Sequence, residues 1–318
     1  MQTHAVVFGA PGRLAVENVD LADVGEDDLV VESRFSGVST GTERLLFKGR
    51  MPAFPGLGYP LVPGYETVGV VTDAGAHQRD RIGDTVYVPG CSAYRDVRGL
   101  FGGTAGRLVV PQSRAVTLAG DPQTEQTLLA LAATAHHALH GGDDRDALVA
   151  KLPDLIVGNG VLGRLLARIT VALGGAPTVW EADGRRRTQA DGYDCIDPSD
   201  DERLDYRRII DASGDTAIMA ILLPRLGHGG EIVLAGFYGA QMSFPFPQAF
   251  MREMCLRVAA EFRPHDLAAV VQLVLDGRLD LSGLVTHHGR PGRAEQAYAT
   301  AFDDTDCLKM VIDWGADA

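Results

Sequence analysis

From Thr3 to Val116 apolar and polar positions alternate in short runs: HAVVF, RLAVENV, DLVVESRFSGV, ETVGVVTDAG, DTVYVPG and GRLVVPQSRAVTL. Glycine, proline or polar residues separate them. A period of two turns one face inward, and regular short strands of this kind predict an all-β, partly closed barrel or sandwich. Between Asp121 and His140 the spacing changes to three- and four-residue steps through Leu128, Leu131, Ala132 and Ala135, which predicts a helix. The polar interval GGDDRDALVAK follows, and the architecture switches there. Beyond it LIV, PTVWEAD, YRRIIDASG and GGEIVLAGFYG are strand runs alternating with helical stretches, the pattern of a parallel doubly wound sheet. After Glu261, DLAAVVQLVLDGRLD and GRAEQAYATAF predict helices and LVTHHG and CLKMVIDW predict strands. This tail is expected to pack back on the β-rich part.

Length and charge narrow the class. At 318 residues two domains are expected, and 46% hydrophobic with 22% charged residues describes an ordinary globular chain. A formal net charge of -13 argues against nucleic acid, whose phosphates need a concentrated basic surface. Arg185, Arg186 and Arg187 form the one conspicuous basic run, best read as a solvated surface. MQTHAVVFGAPG lacks a signal peptide's basic start and apolar core, and no window offers 18 uninterrupted apolar residues. A cytoplasmic protein is expected, with peripheral contact to a membrane left open. Cys91, Cys195, Cys255 and Cys307 lie too far apart for a zinc knuckle and read as reduced thiols.

GNGVLG, with Gly158, Gly160, Val161, Leu162 and Gly163, stands between the strand LIV and a helix. Glycines there make the tight turn, admit a pyrophosphate and let helix and strand approach, while the helix N-terminus attracts the anion. Glu181, eighteen residues after Gly163, suits the ribose hydroxyls of NAD and would repel the 2′-phosphate of NADP. The neighbouring arginines point the other way. Ser213 in DASG (Asp211–Gly214) and Gly236 in GFYG (Gly236–Gly239) are expected to border the cofactor.

GVSTGTE (Gly37–Glu43), PGYETVGVV, RIGDTVYV, ATAHHAL (Ala133–Leu139), GNGVLG and DASG, in that order, resemble the medium-chain dehydrogenase/reductase superfamily. The resemblance implies an α/β chain: a GroES-like β-rich catalytic domain, 1–122 with 262–318, and a Rossmann NAD-binding domain, 123–261. It also implies catalytic zinc held by a cysteine of the first motif, the histidine of a GHE triplet and a cysteine or acid before the ATAHHAL helix. Those places are taken by Ser39 or Thr40, by Tyr65 and by about Ala130, so no catalytic metal is expected. A longer stretch, GVSTGTERLLFKGRMPAFPGLGYPLVPGYETVGVV with CLKMVIDWG, resembles the tetrapyrrole-oxidising members of bacteriochlorophyll biosynthesis. That implies NAD-dependent oxidation of a hydroxyethyl group on a bacteriochlorophyllide, an anionic tetrapyrrole, to an acetyl group; a homodimer is left open, since the sequence does not give the oligomeric state.

Without zinc a side chain or relay must take the alcohol proton. Tyr65 is the first candidate, because it replaces a ligand that would face the reaction. A phenol is a poor base unless a neighbouring charge lowers its pKa, and packing against nicotinamide or substrate is its alternative role. His136 or His137 is the second, although adjacent helical residues point about 100° apart and only one is expected to face the site. Thr42 and Glu43 resemble the hydroxyl and acid that begin the superfamily's proton relay. Glu66 is expected to be structural, orienting Arg44 or another cation. The loop Lys48–Pro60, with Met51, Phe54, Leu57 and Tyr59, is expected to line an apolar pocket beside Ser39 and Thr40, with Lys48 or Arg50 for a propionate. Two other readings remain: a zinc-independent NADPH quinone or enoyl reductase, and a non-catalytic tetrapyrrole-binding protein.

Overall fold

The computed structural model describes residues 1–140, 152–187 and 192–317. The interval GGDDRDALVAK lies outside the described residues. The chain forms two compact units, Met1–Ala130 with Leu281–Ala318, and Leu131–Asp280.

In the first unit the alternating runs become strands. Asp28–Val38 is central to a seven-stranded sheet, antiparallel to Thr67–Ala74, to Arg107–Pro111 and to Met310–Asp313 of the returning tail. Gln2–Ala10, Arg13–Asp20, Leu61–Val62 and Arg98–Gly99 form a four-stranded sheet. Ala5 and Val7 of the second sheet meet Leu29, Val31, Val71, Val86 and Leu108 of the first in one buried cluster. The helix Ala294–Asp303 carries Tyr298 and Phe302 into a second cluster with Phe8, Leu46 and Leu61.

One element has no clear period in the sequence. Thr42–Phe47 is a six-residue helix, too short to be stable alone, and Leu46 anchors it in that second cluster. It sets the positions of Thr42 and Glu43. Lys48–Pro60 contains neither helix nor strand, as its prolines and glycines lead one to expect.

The second unit is a six-stranded parallel sheet. Its spatial order runs Asp194–Ile196, Thr178–Trp180, Leu155–Val157, Tyr206–Asp211, Leu226–Leu234, Cys255–Val258. In chain order this is 3-2-1-4-5-6, so the order reverses beside Leu155–Val157, where a doubly wound sheet binds its ligand. The outermost strands, Asp194–Ile196 and Cys255–Val258, carry no buried residue and lack a strand signal in the sequence. Near the latter edge Phe246, Phe250, Met251 and Val258 are exposed.

The unit boundaries differ from those expected at 122/123 and 261/262. Thr124–Leu128, a 3₁₀ turn, packs on Asp28–Val38 and Thr67–Ala74 and so stays with the first unit. The helix Pro264–Leu275 stays with the second, because Asp266 in its first turn binds His136 and His137. No helix among the described residues is long and apolar enough to cross a membrane.

Candidate active site

Tyr65 follows a glycine turn, and its backbone carbonyl accepts a hydrogen bond from the Tyr87 hydroxyl at 2.6 Å. Its ring packs edge-on against Phe101, centroids 5.2 Å apart. Its hydroxyl lies 2.6 Å from Ser39 Oγ and 3.4 Å from Thr42 Oγ1. Of the two candidates Ser39 and Thr40, Ser39 is therefore the one that reaches Tyr65. The three hydroxyls form a short relay in which each can accept one proton and give another.

Glu43 lies beneath this relay and is fully buried. Its Oε1 accepts the Ser39 N–H at 2.9 Å and its Oε2 accepts the Tyr298 hydroxyl at 2.7 Å. It therefore positions Ser39. Burial pushes its pKa up to about 7, against the pull of those two donors. A carboxyl raised in the fold stabilises most below its unfolded value, and that contribution is lost as pH rises through about 7. Glu43→Gln is expected to flatten the pH dependence of stability between about pH 4.5 and 7, removing a slope of at most about 1.4 kcal/mol per unit. Urea melts of both proteins at pH 5 and 8 check this, and equal slopes would refute it.

Burial also raises the Tyr65 pKa, and Glu66 adds to the rise, so no neighbouring charge prepares this phenol as an anionic base. That corrects the condition under which Tyr65 could act as a free base: it suits a hydrogen-bonded relay instead. Glu66 is fully buried, and its cation is Lys309, itself 1% exposed, rather than Arg44, which faces Asp303 at 3.7 Å. Burial pushes the Glu66 carboxyl up while the Lys309 ammonium pulls it back. Gly37 is required beside this pair, since a Cβ there would stand 2.4 Å from Glu66 Oε2.

His136 and His137 both belong to the second unit. Both rings meet one carboxylate: His136 Nδ1 is 2.8 Å from Asp266 Oδ1, and His137 Nδ1 is 2.9 Å from Asp266 Oδ2. The two oxygens of Asp266 span the angle between adjacent helical positions. In the Lys48–Pro60 loop, Met51, Leu57 and Tyr59 pack against the buried cluster around Phe8, and the Tyr59 hydroxyl donates to the Leu46 carbonyl. Lys48, Arg50 and Phe54 are exposed.

The glycine turn of the second unit has the geometry of a dinucleotide cradle. Gly158 adopts φ +95°, and a Cβ on Gly163 would stand 1.7 Å from the Gly158 carbonyl oxygen. Gly160 caps the helix Val161–Ala172, and a Cβ on it would meet nothing within 4 Å, so the backbone there is open to an anion. Gly163→Ala is accordingly expected to cost about 1–3 kcal/mol and to weaken cofactor binding. Gly160→Ala should weaken binding with stability unchanged. Thermal melts and dinucleotide titrations separate the two; equal melting temperatures would contradict the packing role of Gly163.

Glu181 follows the strand Thr178–Trp180 and accepts the N–H groups of Asn159, 3.0 Å, and Asp183, 2.9 Å. Arg185 is held by Asp183 and Arg187 by Asp197, each at 2.8 Å, which draws both guanidinium groups into pairs of their own. Arg164, 2% exposed, braces the turn by donating to the Asn159 carbonyl at 3.0 Å. Ser213, whose N–H donates to Asp211 at 3.1 Å, and Gly236 stand at the ends of the neighbouring strands.

Residues 25–120 match the family model described as alcohol dehydrogenase GroES-like domain. The 2-desacetyl-2-hydroxyethyl bacteriochlorophyllide A dehydrogenase of Cereibacter sphaeroides is 51% identical over 324 residues, covering 100% of both chains. The chain belongs to the bacteriochlorophyllide dehydrogenase family. The protein of that name from Rhodobacter capsulatus is likewise 51% identical, over 99% of each chain. An alcohol dehydrogenase from Escherichia coli CFT073, solved with NADH, shares the fold with a TM-score of 0.82 at 16% identity, over 98% of this chain and 99% of that one. The chain has the medium-chain dehydrogenase/reductase architecture: a GroES-like unit and a doubly wound parallel sheet.

Alcohol dehydrogenases of this architecture suggest a zinc ion, and the residues here do not fit one. Ser39 and Tyr65 offer hydroxyls already bonded to each other, Ala130 offers a methyl, and Glu66 is neutralised by Lys309. A nicotinamide dinucleotide does fit, on the open backbone at Gly160 with Glu181 beyond it. No motif in the sequence marks Phe101, Tyr298 or Lys309. Tyr298 and Lys309 lie 255 and 243 residues from their partners, and no local pattern marks them.

Proposed function

We propose that the protein oxidises the 3-(1-hydroxyethyl) group of a bacteriochlorophyllide to a 3-acetyl group, using NAD and no catalytic zinc. The observation that carries this reading is 51% identity over the whole chain to proteins named for that substrate. A bound nicotinamide dinucleotide supplies the hydride acceptor. The carbinol carbon gives up hydride, and the hydroxyl proton passes to the Tyr65 oxygen as Tyr65 hands its own proton to Ser39 or Thr42, whose hydroxyl in turn releases its proton to solvent. The carbonyl of the acetyl group remains. Tyr65 never has to exist as a free anion in this scheme, in keeping with its raised pKa. Glu43 holds the Ser39 backbone in register, and Phe101 keeps the Tyr65 ring in place.

NAD is preferred to NADP because Glu181 presents a carboxylate where a 2′-phosphate would lie, while Arg185 and Arg187 are engaged elsewhere. The half-buried Met51, Leu57, Leu100 and Phe101, which pack against one buried cluster, suit a flat apolar macrocycle, and the exposed Lys48 or Arg50 suits its propionate.

The test is absorbance. Chelator-treated protein mixed with NAD and hydroxyethyl bacteriochlorophyllide is expected to give a red-shifted product, as the new carbonyl joins the conjugated ring. NADP should support turnover at least about tenfold less efficiently. Turnover of an electron-poor alkene with NADPH, and none of the tetrapyrrole, would favour the reductase reading. Binding of both ligands without spectral change would favour a non-catalytic carrier.

A further inference from the structure

His140 closes the helix Leu129–His140 one turn after His136, so the two imidazoles share a helix face. Their ring centroids are 4.1 Å apart and their Nε2 atoms 2.9 Å apart. Two nitrogen lone pairs repel at that distance, so an electropositive atom must lie between them. Asp266 decides which nitrogen of His136 is available. Its carboxylate is fully buried, and its Oδ2 accepts the Arg263 N–H at 2.9 Å. It therefore takes the proton-bearing Nδ1 of His136 at 2.8 Å and leaves Nε2 as the lone-pair nitrogen, turned to His140.

A hydrogen shared with His140 satisfies this arrangement, and so does a metal ion. Two imidazoles on one tetrahedral zinc, at about 2.0–2.1 Å each, hold their nitrogens about 3.3 Å apart, a few tenths of an ångström beyond the observed spacing. The i, i+4 histidine pair on a helix provides such a geometry, and a carboxylate behind a ligating histidine fixes its tautomer and strengthens it as a donor.

We infer that His136 Nε2 and His140 Nε2 form a binding site for one transition-metal dication of the zinc class, with Asp266 behind His136 and water completing the coordination. The displaced proton moves to Nδ1 of His140 or to solvent. All three residues belong to the second unit, so this site shares no donor with the Tyr65, Ser39 and Thr42 hydroxyls and does not depend on the proposed reaction. Imidazole donors select zinc, nickel or copper over magnesium and calcium.

The test uses the full chain, stripped with chelator and titrated with zinc chloride. One equivalent should bind with a micromolar dissociation constant, magnesium should not compete, and a tenfold excess of zinc over that constant should raise Tm by about 3 °C. His140→Gln, at the half-buried end of the helix where the fold should tolerate it, should weaken binding at least tenfold and abolish the Tm rise. Asp266→Asn should weaken it about 10–100-fold. Cobalt in place of zinc should show visible bands without thiolate charge transfer, and Cys255→Ser should bind as wild type does. A wild-type chain that binds no zinc overturns the inference, as does undiminished binding by folded His140→Gln. Binding lost in Tyr65→Phe but kept in His140→Gln would overturn both this inference and the zinc-free reading of the first unit.

Discussion

Tyr65→Phe is expected to lower turnover about 100-fold or more while stability and NAD affinity stay within error of wild type. The phenyl ring still packs on Phe101, and the backbone carbonyl still receives the Tyr87 hydroxyl, so only the hydroxyl is lost. With it goes the atom that joins the alcohol proton to Ser39 and Thr42. Ser39→Ala should have a smaller effect, because Thr42 remains at 3.4 Å as a second acceptor. Because the Tyr65 pKa is raised, the pH profile of wild-type turnover should show no ionisation of this residue at or below its ordinary value near 10. Steady-state rates of the three proteins across pH 6–10 check these statements. Full turnover by folded Tyr65→Phe would show that the phenol only shapes the pocket.

Lys309→Met is expected to lower the unfolding free energy by about 3–5 kcal/mol at pH 8. Glu66 is fully buried and its Oε1 already has no hydrogen-bond partner, so removing the ammonium strands a carboxylate in the interior. The double variant Lys309→Met/Glu66→Leu should recover most of the loss, since a matched apolar pair carries no desolvation penalty. An unpaired Glu66 has a folded pKa further above its unfolded value, so the penalty develops as pH rises and shrinks toward pH 4.5. Urea unfolding of single and double variants at both pH values measures it. A single variant within about 1 kcal/mol of wild type would mean that water or rearrangement relieves the charge.

Much of this protein is local and was therefore legible. The strands Asp28–Val38 and Thr67–Ala74 alternate because a sheet has two faces, and GNGVLG follows its strand directly. Weak edge strands and the helix Thr42–Phe47 escaped notice because packing, rather than propensity or periodicity, stabilises them. In the site, Tyr65, Ser39 and Thr42 were identifiable because motifs carry them. The assignment of Glu66 to Lys309, of Glu43 to Tyr298, and of both His136 and His137 to Asp266 depended on chain segments that meet only after folding.

The sequence alone determined the two fold types, the nucleotide turn and the absence of a zinc donor set at Ser39, Tyr65 and Ala130, since each follows from residue type and near-neighbour spacing. The tertiary structure alone decided which hydroxyl reaches Tyr65, why its phenol stays protonated, and that His136 turns one nitrogen to Asp266 and the other to His140. Those facts depend on burial and on distances of a few ångströms between residues remote in the chain. A one-dimensional pattern does not encode either.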